Sequence, residues 1–266
     1  MRIVVCVKQV PDPEAAFSMF KVDEQAKKVI PAPGLQWVMS PFDEQAVEAA
    51  LRIRKRHADT RITVLSMGLE TARNAIKHGL AMGADDGVLL SDAAFEDADS
   101  YATAYTLAGT IRKLGGCDLV LTGRQAADWD AGVVGAGIGE LLGLPVISFA
   151  MDIQVERGAV RVERVLDDGT EIVEALLPAL VTVSNELGAA RTPNLRETMR
   201  AARKPVTVWK AADLGLAASE VGAAGARRVL ERLFLPVKNN RCELIPGSAQ
   251  DQAAGLAQRL REARLI

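Results

Sequence analysis

The sequence predicts an α/β fold built on a doubly wound parallel sheet, and two patterns support this. Five short apolar runs alternate with longer segments of helical periodicity through about the first 150 residues. Beyond them, segments that alternate apolar and polar residues flank a turn, which is typical of an antiparallel hairpin. Strand–helix alternation implies right-handed crossovers, so we expect helices on both faces of the parallel sheet.

The apolar runs predict buried strands, beginning with the first residues of the chain. The first run, residues 3–7, is rich in β-branched residues and is followed by a polar, proline-containing segment. The others are short and end near glycine or serine. The predicted strands cover residues 3–7, 62–67, 87–90, 118–122, 146–149 and 180–184.

Helix signals lie between these strands. Residues 40–43 predict a helix start, with Ser40 as the capping residue, Pro41 at the first helical position and Asp43 near the positive end of the helix dipole. Gly83 suits the end of the next helix because glycine readily adopts the left-handed conformation. The predicted helices cover residues 41–54, 70–82, 99–114, 133–142 and 248–264.

The second part of the chain predicts a hairpin and then a tail. Two alternating segments, 153–165 and 171–176, are separated by the turn sequence Asp167-Asp168-Gly169. Residues 211–226 are rich in alanine and glycine without clear periodicity. We therefore expect this tail not to form a core of its own.

Composition limits the class of function. The chain has 266 residues, 49% of them apolar and 25% charged, which fits one large globular domain with or without appendages. A net charge of −2 and an aromatic content of 4% argue against nucleic-acid binding. No apolar run approaches the roughly 20 residues of a membrane span.

Cys6, Cys117 and Cys242 lack metal-site spacing, so we expect neither a disulfide scaffold nor a metal site. The chain opens without a signal-peptide pattern, and a reducing cytoplasm is the expected compartment.

Residues 123–139 carry the strongest chemical signal. They follow a predicted strand, lead into a predicted helix, and include glycines at positions 132, 135, 137 and 139. Ligands of parallel sheets bind at the carboxyl ends of strands and helix N-termini attract phosphates, so the segment favours nucleotide binding. It contains neither G-x-G-x-x-G nor the GK[ST] of a phosphate loop. The alternative is close helix–sheet packing, because each glycine inside a helix costs about 1 kcal/mol relative to alanine and needs a reason.

Asp128 and Asp130 in this segment leave three roles open. They could form a catalytic carboxylate pair, cap the following helix, or hydrogen-bond a ribose or adenine group. No histidine is near them in sequence, which disfavours acid–base chemistry. Cys6 and Met67 end two other predicted strands and would lie at the same edge of a parallel sheet, although core packing is the simpler role for both.

Several short motifs are spread in order through most of the chain. They are residues 5–12 (VCVKQVPD), 40–43 (SPFD), 46–50 (AVEAA), 81–85 (AMGAD), 123–130 (GRQAADWD), 193–195 (PNL), 199–201 (MRA) and 213–215 (DLG). Their order and spacing resemble those of electron transfer flavoprotein β subunits. The set is much more specific than any one motif.

The resemblance implies a fold, partners and cofactors. The fold is Rossmann-like, of the adenine-nucleotide α-hydrolase type, with the hairpin and an extended C-terminal arm. The partner is an α subunit that holds most contacts to a redox-active FAD. The β subunit binds a second nucleotide at its strand ends, which is AMP in ordinary members and a second FAD in electron-bifurcating members. Residues 9–12 (QVPD) and 94–100 resemble the bifurcating members. Electrons pass from flavin dehydrogenases of the acyl-CoA type toward a quinone oxidoreductase, and the β subunit does no bond chemistry of its own.

Carried over residue by residue, the resemblance assigns nucleotide contacts at the strand ends. They are Cys6, Ser40, Pro41, Phe42, Asp43, Met67, Gly123, Arg124, Gln125, Ala126, Ala127, Asp128, Trp129, Asp130, Ala131, Gly132, Val133 and Val134. Many members have Asn in place of Ser40, and many have Gln followed by Thr or Val where this chain has Val133-Val134. Phosphate binding would then depend more on backbone N–H groups at the helix start, and AMP is slightly favoured over a second FAD.

The resemblance also implies a partner-recognition loop, 189–204. Leu195 matches an exposed leucine that anchors in partner dehydrogenases, and Arg191, Arg196, Met199 and Arg200 surround it. An apolar hot spot inside a charged rim suits a small docking patch. The alternative is an ordinary amphipathic helix in which Leu195 and Met199, four residues apart, are both buried.

The domain organisation follows from these assignments. Residues 1–188, with the hairpin 153–176, form the α/β nucleotide-binding domain, and residues 205–266 form an arm that embraces the α subunit. A different class of function stays open, a stand-alone adenine-nucleotide-binding enzyme or sensor of the same architecture. It would need a triphosphate loop and an acid, base or metal ligand, and it would leave the basic loop and the arm unexplained.

Overall fold

The computed structural model describes residues 1–236 and 242–266. The chain divides into two units, Met1–Lys21 with Val29–Glu231 and Val22–Lys28 with Arg232–Ile266. Residues 237–241, which belong to the predicted arm, lie outside the described residues. Within the described part of the chain, no helix has the length and apolar character needed to cross a bilayer.

Buried apolar runs form the strands of the first unit, because alternate side chains of such runs can pack against helices on either face of a sheet. The strands of the described chain are β1 (Arg2–Cys6), β2 (Gln9–Pro11), β3 (Phe20–Asp23), β4 (Lys28–Pro31), β5 (Trp37–Met39), β6 (Arg61–Met67), β7 (Asp86–Leu90), β8 (Leu119–Gly123), β9 (Val146–Glu156), β10 (Ala159–Leu166), β11 (Gly169–Leu176), β12 (Ala179–Val183) and β13 (Thr207–Trp209).

One sheet of nine strands organises the first unit, in the order β11-β10-β9-β12-β8-β1-β6-β7-β13. The strands from β9 to β13 in this order run parallel, and β10 and β11 extend one side of the sheet antiparallel. Cys6 of β1 lies opposite Leu65 of β6 and Thr122 of β8. The carboxyl ends of these three strands therefore lie side by side, and we call this place the carboxyl edge.

Helices cover both faces of the sheet, as the alternation predicts. Ile3 and Val5 of β1 belong to a core with residues of the first two helices, whereas Val4 and Cys6 belong to a core with residues of the next two. The doubly wound α/β fold is thus confirmed. The helices of the described chain are α1 (Pro41–Arg56), α2 (Arg73–Met82), α3 (Ser100–Lys113), α4 (Val134–Leu142), α5 (Leu195–Arg203), α6 (Ala211–Leu214), α7 (Gly222–Gly225) and α8 (Ala249–Glu262).

The hairpin region differs in part from the sequence prediction. Leu166 and Gly169 pair across the predicted Asp167-Asp168 turn. The segment 153–165, however, is not one strand, because the chain turns at Arg157 and Gly158, which have φ of 49° and 80°. The predicted strand 146–149 consequently continues to Glu156. This turn has a weak sequence signal because arginine seldom adopts positive φ.

The residues after α5 return to the sheet, which the sequence pattern does not predict. Trp209 of β13 pairs opposite Leu90 of β7. Further along, Asp99 accepts hydrogen bonds from the backbone N–H groups of Arg227 at 2.9 Å and Arg228 at 3.0 Å. The Arg227 guanidinium lies 3.4 Å from the centroid of the Tyr101 ring. The chain is therefore attached to the start of α3 as far as Arg228.

The second unit contains α8, close to the helix predicted at 248–264. Ser248 and Asp251 form a reciprocal capping pair at its start, with the Asp251 N–H 3.3 Å from the Ser248 hydroxyl. Arg259 of the helix pairs with Glu243 at 2.6 Å. Leu244 and Leu256 are exposed. Apolar side chains of this unit are thus left at its surface.

Candidate functional site

The carboxyl edge brings together predicted contact residues from four segments. Cys6, Met67 and Gly123 end β1, β6 and β8, which are neighbours in the sheet. Residues 40–43 join them, because β5 ends at Met39 and pairs with β2 just beyond β1. The sequence-predicted strand ends and the start of α1 are therefore close together, as a parallel sheet requires.

Asp43 connects these segments. Its carboxylate accepts backbone hydrogen bonds from Lys8 at 2.8 Å and from Gly123 at 3.0 Å. Burial raises the pKa of Asp43 to about 7, although the two N–H donors and the Lys8 charge act in the opposite direction. A Cβ on Gly123 would lie 2.6 Å from Oδ1 of Asp43 and 2.7 Å from the Cβ of Phe42. Glycine at position 123 therefore leaves the space that this carboxylate occupies.

Ser40 lies at the N-cap position of α1, but the prediction that its side chain caps the helix is wrong. In the described chain no first-turn N–H donates to its hydroxyl. The Ser40 carbonyl accepts instead, from Asp43 at 2.9 Å and Glu44 at 3.0 Å. The buried hydroxyl faces the loop after β8 and accepts from the Ala127 N–H at 3.4 Å. Ser40 thus links α1 to the loop that follows β8.

The loop of residues 124–133 is held by side-chain contacts. Asp128 forms an ion pair with Lys8, with 2.7 Å between Oδ2 and Nζ, and Asp130 accepts from the Gln125 amide at 2.8 Å. Neither aspartate caps α4, which has no side-chain cap among the described residues. The capping role that the sequence left open is therefore wrong for both. Lys8 was not predicted as a site residue, although its position directly after β1, inside motif 5–12, was an available signal.

The groups that would perform acid–base or redox chemistry have other roles. His57 bonds to a backbone carbonyl at 2.8 Å, and His78 pairs with Glu44 at 3.0 Å. Burial, reinforced by the charge of Asp43, raises the pKa of the Cys6 thiol far above its ordinary value. A thiol that stays protonated is a poor nucleophile. The two histidines therefore have partners within the protein, and Cys6 is disfavoured as a nucleophile.

Arg124 lies between two aromatic rings at the same edge. Its guanidinium carbon is 5.7 Å from the ring centroid of Phe42 and 5.4 Å from that of Phe149, and it donates to the Ser184 hydroxyl at 3.3 Å. Phe149 has φ of 60°, at a bulge where β9 and β12 shift register. Its N–H donates to the Thr182 hydroxyl at 3.0 Å. Sequence reasoning missed Phe149 because a bulge of this kind has no local sequence signal.

The glycines of α4 allow the helix to pack closely against its neighbours, which was the alternative to ligand binding. A Cβ on Gly135 would lie 2.7 Å from the Thr122 hydroxyl, and one on Gly139 would lie 2.2 Å from a methyl of Val146. Gly132, before the helix, has φ of 65°. Close contact between α4 and the sheet therefore explains Gly135 and Gly139. Gly137 faces α3, where its Cβ would lie 3.0 Å from that of Ala104, and a turn explains Gly132.

A nucleotide would fit other groups of the edge. Ser66, one residue before the end of β6, has a buried hydroxyl with no hydrogen-bond partner among the described residues. The first turn of α4 has backbone N–H groups without a side-chain cap in the described chain. Trp129 and Val133 are exposed at the loop surface. A hydroxyl, backbone donors and an exposed ring are the groups that bind ribose, phosphate and base.

The predicted recognition loop, 189–204, contains a well-capped helix with exposed apolar side chains. Asn194 and Glu197 form a capping box at the start of α5, with hydrogen bonds of 3.0 and 2.8 Å. Leu195 is 76% exposed and Met199 is 55% exposed. The alternative in which both side chains are buried is therefore wrong for this chain. We call α5 the docking helix, after the role that the sequence predicts for it.

The predicted charged rim around Leu195 is only partly present. Arg196 and Arg200 are exposed on the docking helix. Arg191 instead forms an ion pair with Glu48 of α1, with 2.6 Å between Nε and Oε2. Hydrogen bonds from Arg191 and Arg52 outweigh the effect of burial, which alone would raise the pKa of Glu48, and the pKa of that carboxyl lies below its usual value. The Arg191 guanidinium therefore has a partner within the chain, unlike the exposed Arg196 and Arg200.

Comparison with known proteins decides the family. A family model described as the electron transfer flavoprotein domain matches residues 29–214. The chain belongs to the electron transfer flavoprotein family. It is 38% identical over 267 residues, the full length of both chains, to a protein named caffeyl-CoA reductase–Etf complex subunit CarD of Acetobacterium woodii. It is 39% identical to the electron transfer flavoprotein subunit beta of Megasphaera elsdenii, covering 89% of this chain and 88% of that one.

A third relative extends the group. The protein FixA of Azorhizobium caulinodans is 35% identical, with 89% of this chain and 85% of that one covered. These findings confirm the resemblance to electron transfer flavoprotein β subunits and a role in electron transport. The long parallel sheet with helices on both faces is also what the family resemblance implies.

Proposed function

We propose that this chain is the β subunit of a heterodimeric electron transfer flavoprotein and that it binds a nucleotide without performing bond chemistry itself. The absence of bond chemistry is supported by the hydrogen bonds and ion pairs that the three aspartates of the carboxyl edge already form. Asp43 accepts two backbone N–H groups, Asp128 pairs with Lys8, and Asp130 accepts from Gln125. Acids held as structural acceptors favour binding over proton transfer.

The nucleotide of this subunit is AMP in our proposal, with a structural role. Ser66, the loop 124–133 and the first turn of α4 would hold its ribose, base and phosphate by hydroxyl, ring and backbone N–H groups. Cys6, Met67 and residues 40–43 would line the site from the strand ends. FAD, held mostly by an α subunit, would supply the capacity to accept and release electrons.

A second candidate is a bifurcating type of subunit that binds a second FAD in place of AMP. The feature that favours it is the segment Gln9–Pro11, which forms β2 and pairs with β5 directly before residues 40–43. Gln9 also donates to the Thr71 carbonyl at 2.9 Å. The segment 9–12, which resembles that of bifurcating members, thus lies beside residues 40–43 of the carboxyl edge.

Nucleotide content tests both candidates. The chain would be co-expressed with the α subunit of its source, the complex purified and denatured, and the released FAD and AMP quantified by chromatography. One FAD and one AMP per heterodimer is the expected result. Two FAD without AMP would replace the first candidate by the second. ATP hydrolysis by a chain that retains no flavin and forms no complex would favour the stand-alone nucleotide enzyme and overturn both.

The partners in this proposal are the α subunit, flavin dehydrogenases of the acyl-CoA type and a quinone oxidoreductase, in the cytoplasm. Exposed apolar side chains near the C-terminus support an arm that another chain covers: Val229 is 85% exposed, and Phe234 and Leu244 are also exposed. The chain alone would then be less stable than the complex. A melting curve of the isolated chain against that of the complex measures this difference.

Dehydrogenase docking through Leu195 has its own test. Leu195→Ala in the complex should raise the KM for a reduced dehydrogenase about tenfold, which is typical of a binding hot spot, at unchanged flavin content. Leu176→Ala is the matched control, because Leu176 is likewise 76% exposed and lies on β11. Equal kinetics for the two variants would remove Leu195 from the docking surface.

A further inference from the structure

Glu48 of α1 is a buried carboxylate that neither the nucleotide site nor the docking surface uses. Its side chain is 7% exposed. Burying a charge is unfavourable unless partners and hydrogen bonds compensate for the lost hydration. Both carboxylate oxygens of Glu48 accept hydrogen bonds. The donors are Arg52, one turn further along α1, and Arg191, in the segment that leads into the docking helix.

The contacts of Glu48 form a closed set, which we call the Glu48 clamp and define as Glu48, Arg52 and Arg191. Nε of Arg191 donates to Oε2 at 2.6 Å and Nη2 donates to Oε1 at 3.1 Å, which is a bidentate pair. Arg52 donates from Nε to Oε1 at 3.0 Å and from Nη1 to the Leu187 carbonyl at 2.9 Å. Residues 187–191 are thus fastened to α1 at two points.

The far end of the docking helix is fastened as well. Nζ of Lys77, on α2, donates to the carbonyls of Ala201 at 3.1 Å and Ala202 at 3.0 Å, which belong to the last turn of α5. Lys204 donates to the Ala84 carbonyl at 2.7 Å. Ala201 is buried in the core beside α1 and α2. Between these fixed ends, Leu195 and Met199 remain exposed.

We propose that Glu48 is a positioning residue for dehydrogenase docking: through Arg191 it holds the segment before α5 so that Leu195 is presented in one place. This rests on the proposed docking function of α5. A fixed presentation lowers the entropy lost on association and so favours binding without adding a contact. Arg191 acts through Glu48 in this arrangement and is not part of the charged rim.

Charge and geometry separate this role from that of a rim cation. Lysine at position 191 would keep the positive charge but could not donate two parallel hydrogen bonds to one carboxylate. A rim cation steers a partner at long range, so its effect depends strongly on salt and survives exchange for lysine. A residue that positions the chain behaves in the opposite way in both respects.

The test uses the complex with the α subunit and four variants, Glu48→Gln, Arg191→Lys, Arg191→Gln and the double variant Glu48→Gln/Arg191→Gln. Steady-state kinetics with a reduced dehydrogenase gives KM and kcat, hydrogen exchange reports on residues 188–203, and melting curves report on folding. Arg164→Gln is the matched control, because Arg164 forms a half-buried pair with Glu171 at 2.7 Å in the hairpin.

We expect Glu48→Gln and Arg191→Lys each to raise KM about fivefold at unchanged kcat, as loss of preorganisation predicts, with little dependence on salt. Hydrogen exchange should rise in residues 188–203, and the double variant should be no worse than either single one. The control should leave KM and this exchange unchanged. Arg191→Lys retains the positive charge and a long unbranched side chain, so it remains informative if Glu48→Gln folds poorly.

Two results would overturn the proposal. Arg191→Lys with wild-type KM beside a salt-dependent rise for Arg191→Gln would make Arg191 a rim cation. Unchanged KM and exchange in Glu48→Gln, beside a raised KM in Leu195→Ala, would show that docking does not need the clamp. Failure of the docking function itself looks different, because Leu195→Ala would then leave KM unchanged.

Discussion

The carboxyl edge and the docking helix have their polar and apolar groups in opposite places. At the carboxyl edge, buried polar side chains such as Asp43 and Ser40 accept hydrogen bonds from the backbone of neighbouring segments. On the docking helix, apolar side chains face solvent, and the polar contacts lie at its two ends. The arrangement of the carboxyl edge therefore depends on the space that neighbouring backbone segments leave for buried polar side chains. The position of the exposed side chains on the docking helix depends instead on the polar contacts at the two ends of that helix.

The largest effect should come from filling space at the edge. Gly123→Ala would place a Cβ 2.6 Å from Oδ1 of Asp43 and 2.9 Å from the backbone carbon of Phe42. We expect a loss of unfolding free energy of about 3 kcal/mol, as for other overpacked sites, together with loss of bound nucleotide. Chemical denaturation and nucleotide content of the purified complex measure the two effects.

Gly116→Ala is the control for this change. Its Cβ would meet nothing within 4 Å, but φ of 73° is unfavourable for alanine, which costs roughly 1 kcal/mol. The difference between the two variants isolates the steric part. Similar losses of unfolding free energy in the two variants would mean that the backbone at Gly123 moves to accept a Cβ. The prediction that the site needs the space beside Asp43 would then be wrong.

The next effect concerns the charge of Asp43. Its pKa in the folded chain is about 7, above the unfolded value, so the folded state holds more protons in the interval between them. Stability therefore falls as pH rises through this interval. Between about pH 5 and about pH 7 the fall is on the order of 2–3 kcal/mol, since each pH unit there corresponds to about 1.4 kcal/mol. Asp43→Asn should lower stability at acid pH, because an amide offers one acceptor to two N–H donors, and should flatten this decline.

Melting temperatures from about pH 5 to about pH 8 at constant ionic strength check the sign, since they follow the proton linkage directly. Besides burial, which raises the pKa of Asp43, the charged groups that act on it are Lys8, which lowers the pKa, and Asp128, which raises it. Asp86→Asn is the control of opposite sign, because the Arg61 partner holds the pKa of Asp86 below its usual value. Parallel pH curves for Asp43→Asn and the wild type would contradict the prediction.

On the docking helix, the exposed arginines should have a smaller effect than the apolar anchor. Arg196→Gln/Arg200→Gln in the complex should slow association with an acidic dehydrogenase about threefold at low salt, and hardly at all at high salt, because rim charges act mainly on the encounter rate. Stopped-flow reduction of the flavin at two salt concentrations measures this.

The matched control for this variant removes the same charge elsewhere. Arg157→Gln/Arg161→Gln changes two exposed arginines of the hairpin. An equal slowing in both double variants would assign the effect to net charge rather than to the docking helix.

The smallest effect is expected at the surface pair of the edge. Lys8→Gln removes the ion pair with Asp128, in which the lysine side chain is 43% exposed. Such pairs contribute about 0.2–1 kcal/mol, so unfolding free energy should change little. Nucleotide content should also persist, because the backbone N–H of Lys8, which Asp43 accepts, is retained. Loss of nucleotide would contradict the prediction and would show that nucleotide binding needs the Lys8–Asp128 pair itself.

The sequence predicted the elements whose signals are local. β1, β6 and β8 are apolar runs long enough to specify buried strands, and α1 has proline at its first position. β13 has three residues and is a strand because β7 offers a free side for pairing. The turn at Arg157-Gly158 also depends on tertiary context, since its first residue disfavours positive φ.

The residues of the candidate site likewise include some whose positions were predictable from sequence and some whose contacts were not. Strand ends and the start of α1 follow from the topology of a parallel sheet, so their meeting was predictable. The role of Arg191 was not, because its partner Glu48 is 143 residues away in sequence and nothing in either local pattern connects them. Ser40 was placed correctly at the start of α1, but the direction of its hydroxyl depends on the loop after β8.

The attachment at Asp99 has a mechanical consequence for the chain beyond it. The carboxylate holds two successive backbone N–H groups, and the Arg227 guanidinium rests on Tyr101 at the same place. Tension applied to the chain after Arg228 would be borne by α3 before it reached β13 or the docking helix. A pull or a displacement of the C-terminal residues would therefore leave Leu195 where it is, and the attachment isolates the exposed surface of α5 from movements of those residues.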